Sequence, residues 1–363
     1  MPTQGLSRLA IAFVLAISLA GCSNPATHSA YVTLPTTNRV LAYRVRNSTG
    51  ELTTAFGGSF VTGQSPLSVA VHPTGRFVYV ANSGENTISL FSVDSSSGSL
   101  NEIRPRTTSA ARPTALAMDP GGNFLYVINQ GVNAVSSFAV DSGKGTLTAV
   151  AGPLVSTGFN PAALAVTPSG KFLYVSNSNS DSVSAYSLSS GALTAVPGSP
   201  VAIGRGPMAI AVDPGEHFVY VTNTADSTIS VLAIDPTTGA LTNILGSPFN
   251  IVQINNTGAA TGAVSIAITP AGTLLYIANQ ISGNVTFYSL GPSGVPIEMT
   301  NSPFTSGLGT NFVVADTVGN FLFIGDQSRK QISVYNIDTT LGGLTLTSLV
   351  PTGVGATQMV LTK

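Results

Sequence analysis

The sequence predicts an all-β protein: a seven-bladed β-propeller of four-stranded antiparallel blades, closed by the C-terminal strand pairing into the N-terminal blade. Three observations carry this. A six-residue phrase recurs as FVYVAN (Phe77–Asn82), FLYVIN (Phe124–Asn129), FLYVSN (Phe172–Asn177), FVYVTN (Phe218–Asn223), LLYIAN (Leu274–Asn279) and FLFIGD (Phe321–Asp326). Its central aromatic falls at Tyr79, Tyr126, Tyr174, Tyr220, Tyr276 and Phe323, in steps of 47, 48, 46, 56 and 47 residues. One further step back reaches Tyr31 in AYVTL (Ala30–Leu34), which makes seven units of blade length. Within each unit, apolar residues alternate with period two, and Gly or Pro intrudes every 8–12 residues, which excludes helices.

The second unit shows the elements in order. SVAVHP (Ser68–Pro73) alternates and stops at a proline, and Pro73–Gly75 has turn chemistry. RFVYVAN (Arg76–Asn82) puts Phe77 and Tyr79 on one face and Val78 and Val80 on the other. TISLFSV (Thr87–Val93) is a third strand, DSSSGS (Asp94–Ser99) a turn, and Leu100 opens a fourth strand. Blades converge at the axis, so inner strands need small side chains, and Ala70, Ala117, Ala165, Ala211 and Ala267 share one aligned position. Farther out the wedge widens, and Tyr43, Phe91, Phe138, Tyr186, Tyr288 and Tyr335 supply bulk on the third strand. The first unit lacks an inner strand, while GATQMVLT (Gly355–Thr362) is a spare one. Their pairing would remove the open edge of the ring.

The ends and the composition narrow the setting. Arg8 precedes an apolar run, Leu9–Ala20, too short to span a bilayer, and LAGC (Leu19–Cys22) holds the only cysteine of the chain. This resembles a lipoprotein signal, so we expect a signal peptide over 1–21, lipidation at Cys22, a tether over 22–29 and the propeller over 30–363. The expected location is extracytoplasmic, on a bacterial cell envelope, with the membrane as a partner through the anchor. Charged residues are 8% of the chain and the net charge is −1, which excludes a nucleic-acid footprint. The chain has no Trp, hence no WD repeat, and its Asp turns lack the ligand pattern of a calcium loop. Its three His, namely His28, His72 and His217, fall at no metal-ligand spacing, and no GxSxG elbow occurs, so neither a metal centre, a cofactor nor a serine triad is expected.

The phrase P-x-x-hydrophobic-A-V-x-P-x-G-x-F-x-Y-V-x-N, followed by I-S-x-F-x-V-D and T-G-x-L, resembles the YVTN β-propeller repeat. It is similar also to the seven-bladed lactonase family, which includes 6-phosphogluconolactonase-like proteins and a cycloisomerase. The resemblance covers roughly residues 30–363. It implies a P-R-H opening to working inner strands and a Glu after the second-strand Asn. Here the openings read SPLS (Ser65–Ser68), RPTA (Arg112–Ala115), NPAA (Asn160–Ala163) and GPMA (Gly206–Ala209). The residues after the Asn are Ser83, Gln130, Ser178, Thr224 and Gln280.

Propeller ligands sit at the axial mouth, between the loops that lead into the inner strands and those that join second to third strands. The leading loops offer Gln64, Arg112, Asn160, Arg205 and Asn311 as ligand-binding candidates. Arg112 and Arg205 read as equivalent donors for a planar anion, or as solvated loop residues. The repeated Asn reads as a turn former that bonds nearby backbone, because six copies suit six turns better than one ligand. Asp326 replaces it once and is the candidate catalytic carboxylate. The long 56-residue step places an extra loop, Gly246–Ala263, on the mouth face, with Asn255, Asn256 and Thr257 as contact candidates or a tolerated insertion. The expected function is a binding or interaction module for a neutral small molecule, glycan or protein. The alternatives are a lactonase-like hydrolase acting on an anionic lactone, and a purely structural envelope protein.

Overall fold

The computed structural model describes residues 27–251 and 261–362. Cys22, the expected signal peptide, and Asn255, Asn256 and Thr257 lie outside these described residues.

Seven antiparallel sheets follow one another along the chain, as expected. Blade 1 consists of Thr27–Leu34, Arg39–Arg46 and Leu52–Val61. Its inner strand is Met359–Leu361 from the far end of the chain, with Ala30, Tyr31 and Val32 facing Leu361, Val360 and Met359. The ladder continues where Thr33 N donates to Gln358 O (3.0 Å) and Thr357 N to Thr33 O (3.1 Å). The first strand starts at Thr27, three residues before the expected edge of the propeller at Ala30, so His28 and Ser29 lie in a strand. The inner strands of blades 2 to 7 are Pro66–Val71, Pro113–Met118, Pro161–Val166, Pro207–Val212, Ala263–Ile268 and Thr310–Ala315.

The alternation places the core between blades rather than inside any one of them. Phe77 and Tyr79 pack with Leu116, Leu125 and Val127 of blade 3. Val78 and Val80, on the opposite face of the same strand, pack with Tyr31, Val40 and Ala42 of blade 1. Each inner Ala lies opposite a second-strand Tyr (Ala70–Tyr79, Ala117–Tyr126, Ala165–Tyr174, Ala211–Tyr220, Ala267–Tyr276), so a small residue backs a large one next to the axis.

Five of the second-strand tyrosines latch neighbouring blades. Tyr31, Tyr79, Tyr174, Tyr220 and Tyr276 donate their hydroxyls to the carbonyls of Gly98, Gly145, Gly239, Gly294 and Gly342, each in the next blade's third-to-outer turn, at 2.8–3.3 Å. Burial pushes the Tyr31 phenol up to about 12, so it stays a donor. Glycine is required at such a turn: Gly239 has φ +74°, and a Cβ there would lie 2.3 Å from the Phe172 ring.

Four of those five turns open on an aspartate: Asp94, Asp141, Asp235 and Asp338. The Ser96 hydroxyl and the Ser97 amide hold the Asp94 carboxyl down at about 2. The amides of Lys144, Thr238 and Leu341 lower the other three in the same way. Carboxyls depressed by folding stabilise the protein above their unfolded value, near pH 4, and lose that contribution as pH falls through the folded value. The melting temperature is therefore expected to drop as pH falls from about 4 toward 2. A variant with all four aspartates changed to Asn should show a flatter acid limb in a calorimetric pH series. An unchanged limb would remove these turns from the acid response.

Candidate active site at the axial mouth

Backbone bonds tie the two loop sets of one face together, as the sequence required. Ser83 N donates to Ser65 O (3.0 Å) and Gln130 N to Arg112 O (2.9 Å). Ser178 N donates to Asn160 O (3.0 Å), and Thr224 N to Gly206 O (2.9 Å). The leading loop of each blade is also held by the preceding blade. Asn38, Asn86 and Asn133, each at a left-handed turn position, accept through Oδ1 from the amides of Ser65, Arg112 and Asn160 at 2.7–2.9 Å.

The repeated Asn holds these loops by a different route from the one expected. Asn82, Asn129, Asn177, Asn223 and Asn279 are fully buried and none has positive φ. Their side-chain amides bond polar groups of the third strand: Asn82 reaches Thr87 and Ser89 (both 3.0 Å), and Asn223 reaches Thr228 and Ser230 (both 2.8 Å). Asn82 and Asn177 also accept from the amides of Gly63 and Gly158 in the leading loops (both 3.1 Å). They are struts between the second and third strands.

Asp326 takes this strut position in blade 7. Its side chain is 1% exposed. Oδ1 accepts from Arg329 N (2.8 Å), and Oδ2 lies 3.6 Å from Arg329 Nη1. It sits beneath the loop around Gly307 and does not line the axial mouth. Arg112 and Arg205 are corrected as a pair. Arg112 aligns with Gly206 by its bond to Gln130, whereas Arg205, bonded by the Ala225 amide, aligns with Ala111. Both side chains point to solvent at the rim; Arg205 is 74% exposed and lies 3.9 Å from Asp226. Gln64 is an exposed rim residue, and Asn160 is tied up by Ser178 (2.6 Å). Of the five leading-loop candidates, Asn311 reaches the mouth: its Nδ2 donates to Ala356 O, and its buried Oδ1 has no hydrogen-bond partner among the described residues.

The mouth is a cavity of about 300 Å³ formed by the second to fourth residues of the inner strands. Its outermost ring is Leu67, Thr114, Ala162, Met208, Val264, Asn311 and Thr357, with no charged side chain. Residues 252–260, which lie outside the described residues, carry no charge in their sequence either. The rim is mixed: Phe159 and Leu308 are exposed there beside Arg112, Arg205 and Gln64. Among the described residues no group of His, Cys, Asp and Glu could hold a metal ion.

One layer down, the side chain two residues after the opening position braces the next blade. Gln358 Oε1 accepts from Val69 N (2.7 Å), Ser68 Oγ from Leu116 N (3.0 Å) and Ser265 Oγ from Val313 N (3.2 Å). In blades 3, 4 and 5 the bracing residue is Ala115, Ala163 or Ala209, which carries no acceptor. The amides of Ala163 and Ala209 turn outward to Ser176 Oγ and Thr222 Oγ1 (both 3.1 Å). Strand alternation therefore directs the next amides, of Leu164 and Ile210, toward the axis, and that of Ile266 at the same register in blade 6. These three amides face the cavity with no side-chain acceptor among the described residues. Thr114 Oγ1 is likewise buried without a partner among them. Sequence reasoning missed this arc. Its signal was the pair of residues following each opening proline, where the family resemblance implied Arg and His.

Comparison with known proteins fits this architecture. A family model described as a seven-bladed β-propeller lactonase matches residues 22–158, 152–251 and 250–360. The 6-phosphogluconolactonase of Yersinia pestis (strain Pestoides F) is 30% identical over 130 residues, 31% of this chain, and the match spans 39% of that relative's length. The periplasmic gluconolactonase of Pseudomonas aeruginosa superposes with a TM-score of 0.79 at 18% identity, covering 93% of this chain and 99% of the other. A Lactobacillus plantarum protein gives the same score and identity over 93% and 100%. At that identity the superpositions establish the fold. The family match, which covers all seven blades, establishes membership: the chain belongs to the seven-bladed β-propeller lactonase family.

Proposed function

We propose that the chain is a lactonase-type hydrolase whose axial mouth takes an uncharged lactone. The observation that carries this reading is the arc of unbraced amides at Leu164, Ile210 and Ile266 inside a mouth lined by neutral side chains. Opening a lactone turns its carbonyl oxygen into an oxyanion as water adds, and fixed amide donors in a water-poor site stabilise that charge. The Thr114 hydroxyl is a further donor, and Asn311 Oδ1 is an acceptor that can orient the attacking water. A phosphate or carboxylate would lose its hydration there without meeting a cation, which disfavours an anionic substrate. The family membership and the likeness to a gluconolactonase support the reaction class. An anchor at Cys22 would leave residues 23–26 before the first strand, holding the propeller close to the envelope.

A second reading, a binding module without turnover, is favoured by one observation: among the described residues no His, Asp or Glu lines the mouth to take a proton. Turnover assays separate the two. Purified protein is expected to hydrolyse gluconolactone faster than its 6-phosphate. Changing Ala163 and Ala209 to Ser supplies the braces that Ser68 and Ser265 already provide in other blades, so the fold should hold. The filled amides of Ile210 and Ile266 should cut kcat/KM by about 10- to 100-fold. Asp326→Asn should leave turnover within about twofold, because that side chain is off the mouth. Binding without hydrolysis would select the second reading, and preference for the phosphorylated lactone would overturn the uncharged substrate.

A further inference from the structure

Blade 7 departs from the repeat at three places that meet beside the axis. The third inner-strand residue is small or polar in the other blades, as Ser68, Ala115, Ala163, Ala209, Ser265 and Gln358, but is Phe312 here. Its partner on the second strand is Gly325, where Ala81, Ile128, Ser176 and Ala278 carry a side chain in other blades. The exchange is steric: a Cβ on Gly325 would lie 2.1 Å from the Phe312 ring. The ring is therefore seated in the wall, buried in one cluster with Phe323, Ala356 and Met359. The third departure is Ala315, the smallest residue at the last inner-strand position, where the others are Val71, Met118, Val166, Val212, Ile268 and Leu361.

Beside these residues lies a chamber of about 350 Å³ that adjoins the mouth and shares Ser265, Ile266, Phe312 and Gln358 with it. Its deeper walls are apolar, formed by Ile268, Val314, Ala315 and Met359 among others, and the first three of these keep exposed surface inside the closed ring. No charged side chain lines it. Its two polar ones, Ser265 and Gln358, are engaged as the braces on Val313 N (3.2 Å) and Val69 N (2.7 Å). One donor is left open. Phe312 stands at the bracing position for blade 1 and carries no acceptor. Thr362 N turns to Ser29 O (2.8 Å), so strand alternation directs the amide of Met359, three residues earlier, toward the axis.

We propose that this chamber receives an acyl chain carried by the lactone, so that the preferred substrate is an uncharged lactone with an acylamino substituent. The inference deepens the hydrolase reading and rests on it for the placement of the lactone ring. Ile266 belongs to both places: its amide is part of the arc, and its side chain lines mouth and chamber alike. A ring whose carbonyl oxygen sits on the arc therefore holds its substituent at the chamber entrance. The Met359 amide is a donor for the acyl carbonyl, and the aliphatic chain covers the apolar walls. A chamber of this size and lining suits an aliphatic guest better than water. A polyhydroxy substituent would give up its hydration for walls that offer no partner.

The test follows hydrolysis of homoserine lactones carrying butanoyl, hexanoyl and octanoyl chains by the purified protein. The value of kcat/KM is expected to rise about three- to fourfold for each CH2 that enters the chamber, hence roughly tenfold per two-carbon step. Ala315→Leu, which gives blade 7 the residue that blade 1 carries in Leu361, and Ile268→Phe each fill the chamber. Both should bring the octanoyl-to-butanoyl ratio down toward one. Methyl NMR is the second readout: the octanoyl compound should shift the resonances of Ile268, Val314 and Ala315, and γ-butyrolactone should leave them in place. Chain-length-dependent shifts without hydrolysis of any lactone would remove the hydrolase reading and leave the chamber assigned to acyl chains. Hydrolysis with a flat chain-length series and silent chamber methyls, or a preference for the longer chain that survives both variants, overturns the proposal and leaves the hydrolase reading standing. Neither hydrolysis nor shifts would overturn both.

Discussion

Removing residues 355–363 is expected to abolish cooperative unfolding. The segment supplies the inner strand of blade 1, and its loss leaves Ala30, Tyr31 and Val32 unpaired on one side. It also removes Ala356 and Met359 from the cluster that joins blade 7 to blade 1, where both are nearly fully buried. Gln358, the brace on Val69 N, goes with it. Burial of the Met side chain alone is worth about 1.5–3 kcal/mol, and each lost ladder or brace bond about 1 kcal/mol. The total, roughly 5 kcal/mol or more, matches the whole net stability of many domains. A seven-bladed ring opened at one blade also exposes a sheet edge where its inner strand is missing. Thermal unfolding followed by circular dichroism should lose its single sharp transition, and adding the segment as a peptide should restore part of it. A truncated chain that melts as the full chain does would refute closure as a source of stability.

Asn177→Leu should destabilise the protein by about 3 kcal/mol. Leu keeps the branching of Asn at Cγ but is bulkier, so some overpacking at this fully buried site adds to the lost hydrogen bonds. It strands three groups: the half-buried Gly158 amide (3.1 Å) and the buried hydroxyls of Ser182 (3.2 Å) and Ser184 (3.0 Å). Leaving a buried polar group unpaired costs about 1–3 kcal/mol, and the two hydroxyls recover part of that by turning to other acceptors. Denaturant melts give the difference directly, with the slope expected to stay constant. A loss below about 0.5 kcal/mol, the size of an ordinary surface change, would return the Asn to the role of a replaceable strand end.

These two predictions mark how much was legible beforehand. Blade number, strand order, the small-inside and large-outside taper and the closing strand all follow from periodicity, because a repeat forces each unit into the same local geometry. The strut role of the Asn was readable in principle. Hydroxyls stand five and seven residues beyond it, as at Thr87 and Ser89, Ser182 and Ser184, and Thr228 and Ser230. The expectation of a local backbone turn missed this because a hairpin brings those positions back beside the Asn.

The site was much less legible. Arg112 and Arg205 looked equivalent because each stands near an opening proline, but a one-residue offset in a leading loop changes which side of the backbone a side chain leaves. Asp326 looked catalytic because it was the exception in a repeated phrase, yet the phrase belongs to the wall of the propeller, where Asp326 Oδ1 accepts from the Arg329 amide away from the mouth. Asn311 did reach the mouth.

The sequence by itself determined the ring: a period-two pattern repeated at blade length admits few other ways to bury its two apolar faces. Only the tertiary structure decided the chemistry of the mouth. The amides of Leu164, Ile210 and Ile266 are ordinary backbone groups present in every residue but proline. They become donors at the axis because the neighbouring blade presents Ala where another presents Ser or Gln. That condition joins residues some fifty positions apart, and it exists once the blades have closed around their axis.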